Sequence, residues 1–136
     1  MESNIRLSII IPAYNHPETL QHLLQSIQKY SSNEVETLVI DDGSTPPLED
    51  IVAKYRFHYH YQSNQGPSVA RNEGARLANG DSLFFLDSDT ELLPDTLNQI
   101  LELIQLQEFQ VISLSYHPCS VNKGFAPQYK GLFDAF

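Results

Sequence analysis

The sequence predicts an α/β sandwich on a mostly parallel sheet. Three observations predict it. Short β-branched apolar runs alternate with segments whose apolar residues recur at helical spacing. Pro, Gly and Asn clusters punctuate the chain between them. Clusters of polar residues stand where the first, second and fourth apolar runs end.

Leu7 to Ile11 is an apolar run stopped by Pro12, and reads as a buried strand. Asn15 or His16 caps a helix that Pro17 opens, with Leu20, Leu23, Leu24 and Ile27 as one stripe. Val35 to Ile40 is a second strand, ended by Asp41-Asp42-Gly43-Ser44. Pro46-Pro47 opens a short helix through roughly Tyr55, and Phe57 to Tyr61 alternates as a half-exposed strand. Asn64 to Pro67 turns into a helix from about Ser68 to Asn79, with Gly80 as its stop. Leu83 to Leu86 is a strand ended by Asp87-Ser88-Asp89. Pro94 opens a helix carrying Leu97, Ile100, Leu101 and Ile104, and Val111 to Leu114 is the last strand. After His117-Pro118 the periodicity fades. The tail through Gly124, Pro127 and Gly131 reads as irregular, and its Leu132, Phe133 and Phe136 are expected to seek cover against the domain or a second copy. The expected division is a domain over 1–117 and the start of a further segment over 118–136.

Length suits one compact domain, and a composition 41% hydrophobic and 18% charged is globular. The net charge of −9 argues against nucleic acid and anionic lipid as partners. It also means that a phosphate-bearing ligand needs a compensating cation. No apolar run approaches the ~18 residues of a membrane span, and Pro12 ends the first run short of a signal-peptide core. Cys119 is the lone cysteine, which fits a reducing compartment and the packing role of a small hydrophobe. The expected location is cytoplasmic, or the cytoplasmic face of a membrane.

Asp87 and Asp89 are the sharpest chemical signal. Residues two apart in extended backbone share a side, and two such carboxylates repel unless a cation lies between them. A hard divalent ion, Mn²⁺ or Mg²⁺, suits them and often shares its sphere with phosphates. The plainer alternative is a turn with Asx hydrogen bonds or a helix cap. Asp41 and Asp42 offer acceptors to a base or ribose, or organise a turn with Gly43. The helix start at Gly66-Pro67-Ser68 suits an anion, or is a plain helix start. Arg71, near that end, is placed to reach a ligand, whereas Arg76 reads as solvated. His58 and His60 share a strand face and read as a solvent-facing pair.

Together these segments resemble the family 2 glycosyltransferases. The likeness rests on Ser8-Ile9-Ile10-Ile11-Pro12-Ala13-Tyr14-Asn15, Leu38-Val39-Ile40-Asp41-Asp42-Gly43-Ser44, Asn64-Gln65-Gly66-Pro67-Ser68-Val69-Ala70-Arg71-Asn72-Glu73-Gly74-Ala75, Gly80-Asp81 and Phe85-Leu86-Asp87-Ser88-Asp89. It covers roughly residues 5 to 105, and implies the GT-A fold, a three-layer sandwich. By that resemblance Pro12, Ala13 and Tyr14 line a nucleotide pocket and Asp42 contacts the base. Asp87 lies near the ribose, and Asp89 binds the metal that holds the diphosphate. The expected nucleotide site is Pro12, Ala13, Tyr14, Asn15, Asp41, Asp42, Arg71, Asp87 and Ser88, with Asp89 and Asp87 as metal ligands.

The implied reaction is inverting transfer from a nucleoside diphosphate sugar, a UDP-sugar by family likeness, to a hydroxyl of a saccharide or lipid-linked acceptor. The family's acceptor segment with its carboxylate base has no match before Phe136, so the base is expected beyond it. Asp134 falls in the irregular tail. Two rivals are a nucleotide-binding module without turnover and a sugar-1-phosphate nucleotidyltransferase. The latter usually carries a Gly-rich basic loop after its first strand, which Pro12-Ala13-Tyr14-Asn15 is not. A receiver-like domain would place paired acids after the first strand, where this chain has none.

Overall fold

The computed structural model describes residues 4–107, 112–116 and 128–135. In chain order the elements are β1 (Leu7–Ala13), α1 (Pro17–Tyr30), β2 (Val35–Asp41), α2 (Glu49–Ala53), β3 (His58–Tyr61), α3 (Pro67–Leu77) and β4 (Ser82–Phe85). They are followed by β5 (Glu91–Leu92), α4 (Thr96–Leu106), β6 (Ile112–Tyr116) and β7 (Gln128–Ala135). The main sheet has the order β3-β2-β1-β4 and every pairing in it is parallel.

Strand β1 lies inside that sheet, so both of its faces are buried and the run carries no polar alternation. Leu7, Ile9, Ile11 and Ala13 join Leu20, Leu23, Leu24 and Ile27 of α1 in the larger core cluster. Ile10 packs on the opposite face with Leu38, Ile40 and Ala70 of α3. Helices thus cover both faces, as an α/β sandwich requires. Helix α3 comes so close to β1 that a Cβ at Gly74 would overlap Ile10 Cγ2. Gly80 serves a similar close approach, because a Cβ there would meet the Ser8 amide at 2.8 Å. It does not act as a left-handed helix stop; Ala78 ends α3 in extended backbone.

A polar network closes the amino end of the sheet. Ser8 Oγ donates to Glu36 Oε1 at 2.6 Å, the Asn79 amide donates to the same oxygen at 2.6 Å, and the Gly80 amide donates to Ser8 Oγ at 2.8 Å. Burial pushes the Glu36 carboxyl up, but these hydrogen bonds outweigh it, and the carboxyl sits below the usual range. Edge strand β3 sets its two histidines beside acids. His58 Nε2 is 3.8 Å from Glu36 Oε2 and His60 Nε2 is 3.4 Å from Glu73 Oε1. Arg76 is exposed, as its position predicts, and it pairs with Glu73.

Four further expectations are corrected. Helix α2 starts at Glu49 and not at Pro46, because the Leu48 amide is drawn to Asp41 Oδ2 at 2.9 Å. Strand β1 runs through Pro12 to Ala13 instead of stopping at Ile11. A two-residue strand, β5, follows the Asp87-Ser88-Asp89 segment. The tail is not irregular throughout: residues 128–135 form β7, which pairs parallel with β5 and antiparallel with β6, setting Asp134 opposite Ser113. Backbone pairing overrides the loop signal of Gly131 there. Val111, Cys119, Gly124, Pro127 and Phe136 lie outside the described residues, as does the expected boundary at 117.

Two stability measurements check this packing. Gly74→Ala, a favourable change in an ordinary helix interior, should here destabilise by about 1–3 kcal/mol in chemical denaturation, through overpacking against Ile10. Glu36→Gln should cost about 1–3 kcal/mol at neutral pH. The folded carboxyl titrates below the unfolded value of 4.5, so its stabilisation is complete above that pH and is lost as the pH falls through the folded value. The variant's acid-unfolding curve should accordingly be flatter than the parent's, and identical curves would show that the network adds nothing.

Candidate functional site

The carboxyl ends of β1, β2 and β4 and the amino end of α3 come together on one side of the main sheet. This is where parallel sheets bind ligands, since the loops there leave the strands toward opposite layers. The loop after β1 is zipped to the loop after β2. The Asn15 amide donates to Ser44 Oγ at 2.7 Å, the Thr45 amide donates to Asn15 Oδ1 at 3.1 Å, and the Asp42 amide donates to Ala13 O at 2.8 Å. Asn15 sits in left-handed backbone at φ 54°, which asparagine tolerates. Tyr14 projects half exposed beside it, whereas the Pro12 and Ala13 side chains are buried. Ala13 packs its side chain in the core cluster on the α1 side.

The two aspartates after β2 divide their work between layers. Asp41 Oδ1 accepts from the Ser44 amide, and Oδ2 accepts from the Leu48 amide and the Tyr59 hydroxyl at 2.6 Å. It is fully buried. Burial, with the bond to Asp41, pushes the Tyr59 hydroxyl well above its usual range and keeps it a donor. Asp41 therefore organises the turn after β2. Asp42 faces the other way. Its Oδ1 accepts from Gln62 Nε2 and the Gln65 amide, both at 2.8 Å, and its Oδ2 accepts from the Gly66 amide at 2.9 Å. It fixes the loop that leads into α3. Gly66 stands there at φ 96° with open space where a Cβ would be, so the loop leaves room beside the start of α3. A carboxylate has about four acceptor positions, and the contacts named here leave one on Asp42 Oδ2.

The Asp87-Ser88-Asp89 segment is a turn and not extended backbone. The Thr90 amide and hydroxyl both donate to Asp87 O, at 3.2 and 2.7 Å. This corrects the inference that the two carboxylates share one side of a strand. A cation already meets Asp87: Arg71 Nη2 donates to its Oδ1 at 2.9 Å. Asp89 is exposed and Ser88 half-buried. Among the described residues no group of three or more His, Cys, Asp or Glu side chains is placed to hold a metal. Carboxylate oxygens are the donor type a hard divalent ion takes, and such an ion also takes oxygens from phosphates and water.

Several contributors gave no sequence signal. Gln62 meets Asp42 from about twenty residues away with nothing periodic about it, and neither the alternation that holds Tyr59 nor the turn that holds Gln65 names an aspartate as partner. Ser26 lies among the apolar residues of α1, and its Oγ accepts from the Leu92 amide at 3.1 Å, holding β5 behind the Asp87–Thr90 turn. The Asp41-to-Ser44 bond alone was foreseeable, since Asx turns are local.

The family model for glycosyl transferase family 2 matches residues 8–133. The chain belongs to that family. An uncharacterized glycosyltransferase of Haemophilus influenzae is 34% identical over 127 residues, covering 88% of this chain and 42% of the relative. The putative glycosyltransferase EpsH of Bacillus subtilis is 31% identical over 100 residues, covering 70% of this chain and 29% of the relative. The crystal structure of S. aureus TarS 1-349 in complex with UDP superposes with a TM-score of 0.69 at 31% identity, over 74% of this chain and 32% of that one. Glucosyl-3-phosphoglycerate synthase of Mycobacterium tuberculosis shares the fold, with a TM-score of 0.61 at 23% identity over 83% of this chain and 43% of that one. The chain thus spans less than half the length of these relatives. The fold is GT-A, as the sequence motifs imply. Among the described residues no helix is long and apolar enough to cross a membrane.

The buried and exposed aspartates should separate in denaturation. Asp41→Asn turns one acceptor oxygen into a donor facing donors and should cost about 1–3 kcal/mol. Asp89→Asn should stay within about 0.5 kcal/mol of the parent. Equal, small losses would remove the turn-organising role of Asp41.

Proposed function

We propose that this chain forms the donor side of a metal-dependent glycosyltransferase that takes a nucleoside diphosphate sugar, a UDP-sugar above others. One observation carries the reading. Exposed Asp89 and half-exposed Asp87 stand in the turn after β4, at the carboxyl end of the parallel sheet, where Arg71 pairs with Asp87, in a chain of net charge −9. So acidic a surface admits a diphosphate only with a cation. The choice of uridine is supported by TarS, which is crystallised with UDP.

On this reading the remaining acceptor of Asp42 receives an N–H of the base. Tyr14 and Asn15, with the backbone of Pro12 and Ala13, flank the nucleoside. Asp87 and Ser88 approach the ribose and diphosphate, and Arg71 meets negative charge from α3. Asp89, with Asp87, holds a divalent ion, Mn²⁺ or Mg²⁺, which when bound neutralises the departing diphosphate. The chain's own residues position the donor and exclude competing geometries. An acceptor hydroxyl of a saccharide or lipid-linked sugar then attacks the anomeric carbon with inversion, losing its proton to a base.

Isothermal titration of UDP with and without Mn²⁺ tests the reading. The parent should bind UDP more tightly with the ion, and Asp89→Asn should lose that enhancement while circular dichroism stays unchanged. Enhancement retained by Asp89→Asn would sink the assignment. Asp42→Ala should in turn weaken UDP binding beyond any loss of stability.

A further inference from the structure

The Arg71–Asp87 contact joins α3 to the turn after β4 through one guanidinium nitrogen and one carboxylate oxygen, 2.9 Å apart. Both side chains are partly exposed, at 36% and 48%, and such a pair adds little to stability. Its position is what gives it consequence. On the nucleotide-sugar reading above, on which this inference rests, Asp87 is a ligand of the divalent ion. Arg71 and the ion then compete for the same carboxylate.

We propose that Arg71 is a gatekeeping cation: it holds Asp87 until a nucleoside diphosphate enters, and so makes ion binding depend on the nucleotide. Without nucleotide the ion meets a poor site. The described residues gather no cluster of three carboxylate, histidine or cysteine ligands for it, and the Arg71 guanidinium already sits on one of the two carboxylates. A diphosphate changes both terms. It offers the planar guanidinium fork pairs of anionic phosphoryl oxygens, which suit it better than a single carboxylate oxygen. It also supplies the oxygen ligands that the protein lacks. Arg71 moves to the diphosphate, Asp87 is released to the ion, and the two ligands enter together. The coupling is reciprocal: the ion strengthens nucleotide binding by the factor with which the nucleotide strengthens ion binding.

Calorimetric titration of Mn²⁺, with and without UDP, tests this on the parent chain, Arg71→Gln, Asp87→Asn, the double variant and Arg76→Gln. Arg71→Gln should tighten the binding of Mn²⁺ alone by about three- to fivefold, the worth of releasing one such pair. It should also shrink the factor by which UDP strengthens Mn²⁺ binding. On the Asp87→Asn background, Arg71→Gln should have no further effect on Mn²⁺. Arg76→Gln removes the same charge from the same helix, but its arginine pairs with Glu73, so Mn²⁺ affinity should not move. Unchanged Mn²⁺ affinity in Arg71→Gln overturns the proposal, as does equal tightening in Arg76→Gln or on the Asp87→Asn background. If the folded parent binds neither UDP nor Mn²⁺, the nucleotide-sugar reading itself fails and takes this inference with it. A parent that binds both, with no change on Arg71→Gln, rejects the gatekeeping role alone.

Discussion

The end of β2 is the point on which the functional side of the molecule depends. Two adjacent buried carboxylates there face opposite layers of the sandwich. Asp41 gathers Ser44, Leu48 and Tyr59 on the α2 side, and Asp42 gathers Gln62, Gln65 and Gly66 at the entry to α3. Burying one charge without partners is expensive, and burying two neighbours more so. Their stability comes from backbone amides aimed at them, which leaves the loops little freedom. The strand thus fixes where the next helix on each face begins. Without that, the amino end of α3 would not stand opposite the Asp87–Thr90 turn.

The opposite end of the sheet is closed by the same chemistry in another form. Glu36, Ser8, Asn79 and Gly80 tie β1, β2 and the exit of α3 together. With Gly74 pressed on Ile10 between these ends, α3 is held at its start, middle and exit. Arg71 lies on this fixed rod one turn from the start, so its reach to Asp87 is set by packing remote from the site. A positioned cation of this kind offsets part of the acidic charge gathered at the carboxyl end of the sheet.

Family likeness and geometry inform each other unevenly. The motifs name the family, and the match extends to residue 133. The geometry then sorts those motif residues: Asp41 and Ala13 serve the fold, while Tyr14, Asp87 and Asp89 remain accessible. Adjacent residues of one motif therefore carry different duties, and only burial separates them.

The sequence alone determined the alternation of strands and helices, the parallel sheet and the location of the polar clusters at its carboxyl end. Each of those follows from local periodicity or from a turn signal within a few residues. It also marked Asp42, Arg71, Asp87 and Asp89 as residues to watch. Tertiary structure decided which aspartate is structural, since Tyr59 and Gln62 arrive from distant segments. It decided that Asp87 meets Arg71 instead of sharing a strand face with Asp89, because the Thr90 bonds turn the chain there. It decided that residues 128–135 form a strand, because pairing with β5 and β6 supplies hydrogen bonds that no local pattern announces. The physical reason is common to all three: a hydrogen bond or ion pair between segments far apart in sequence leaves no period in the sequence.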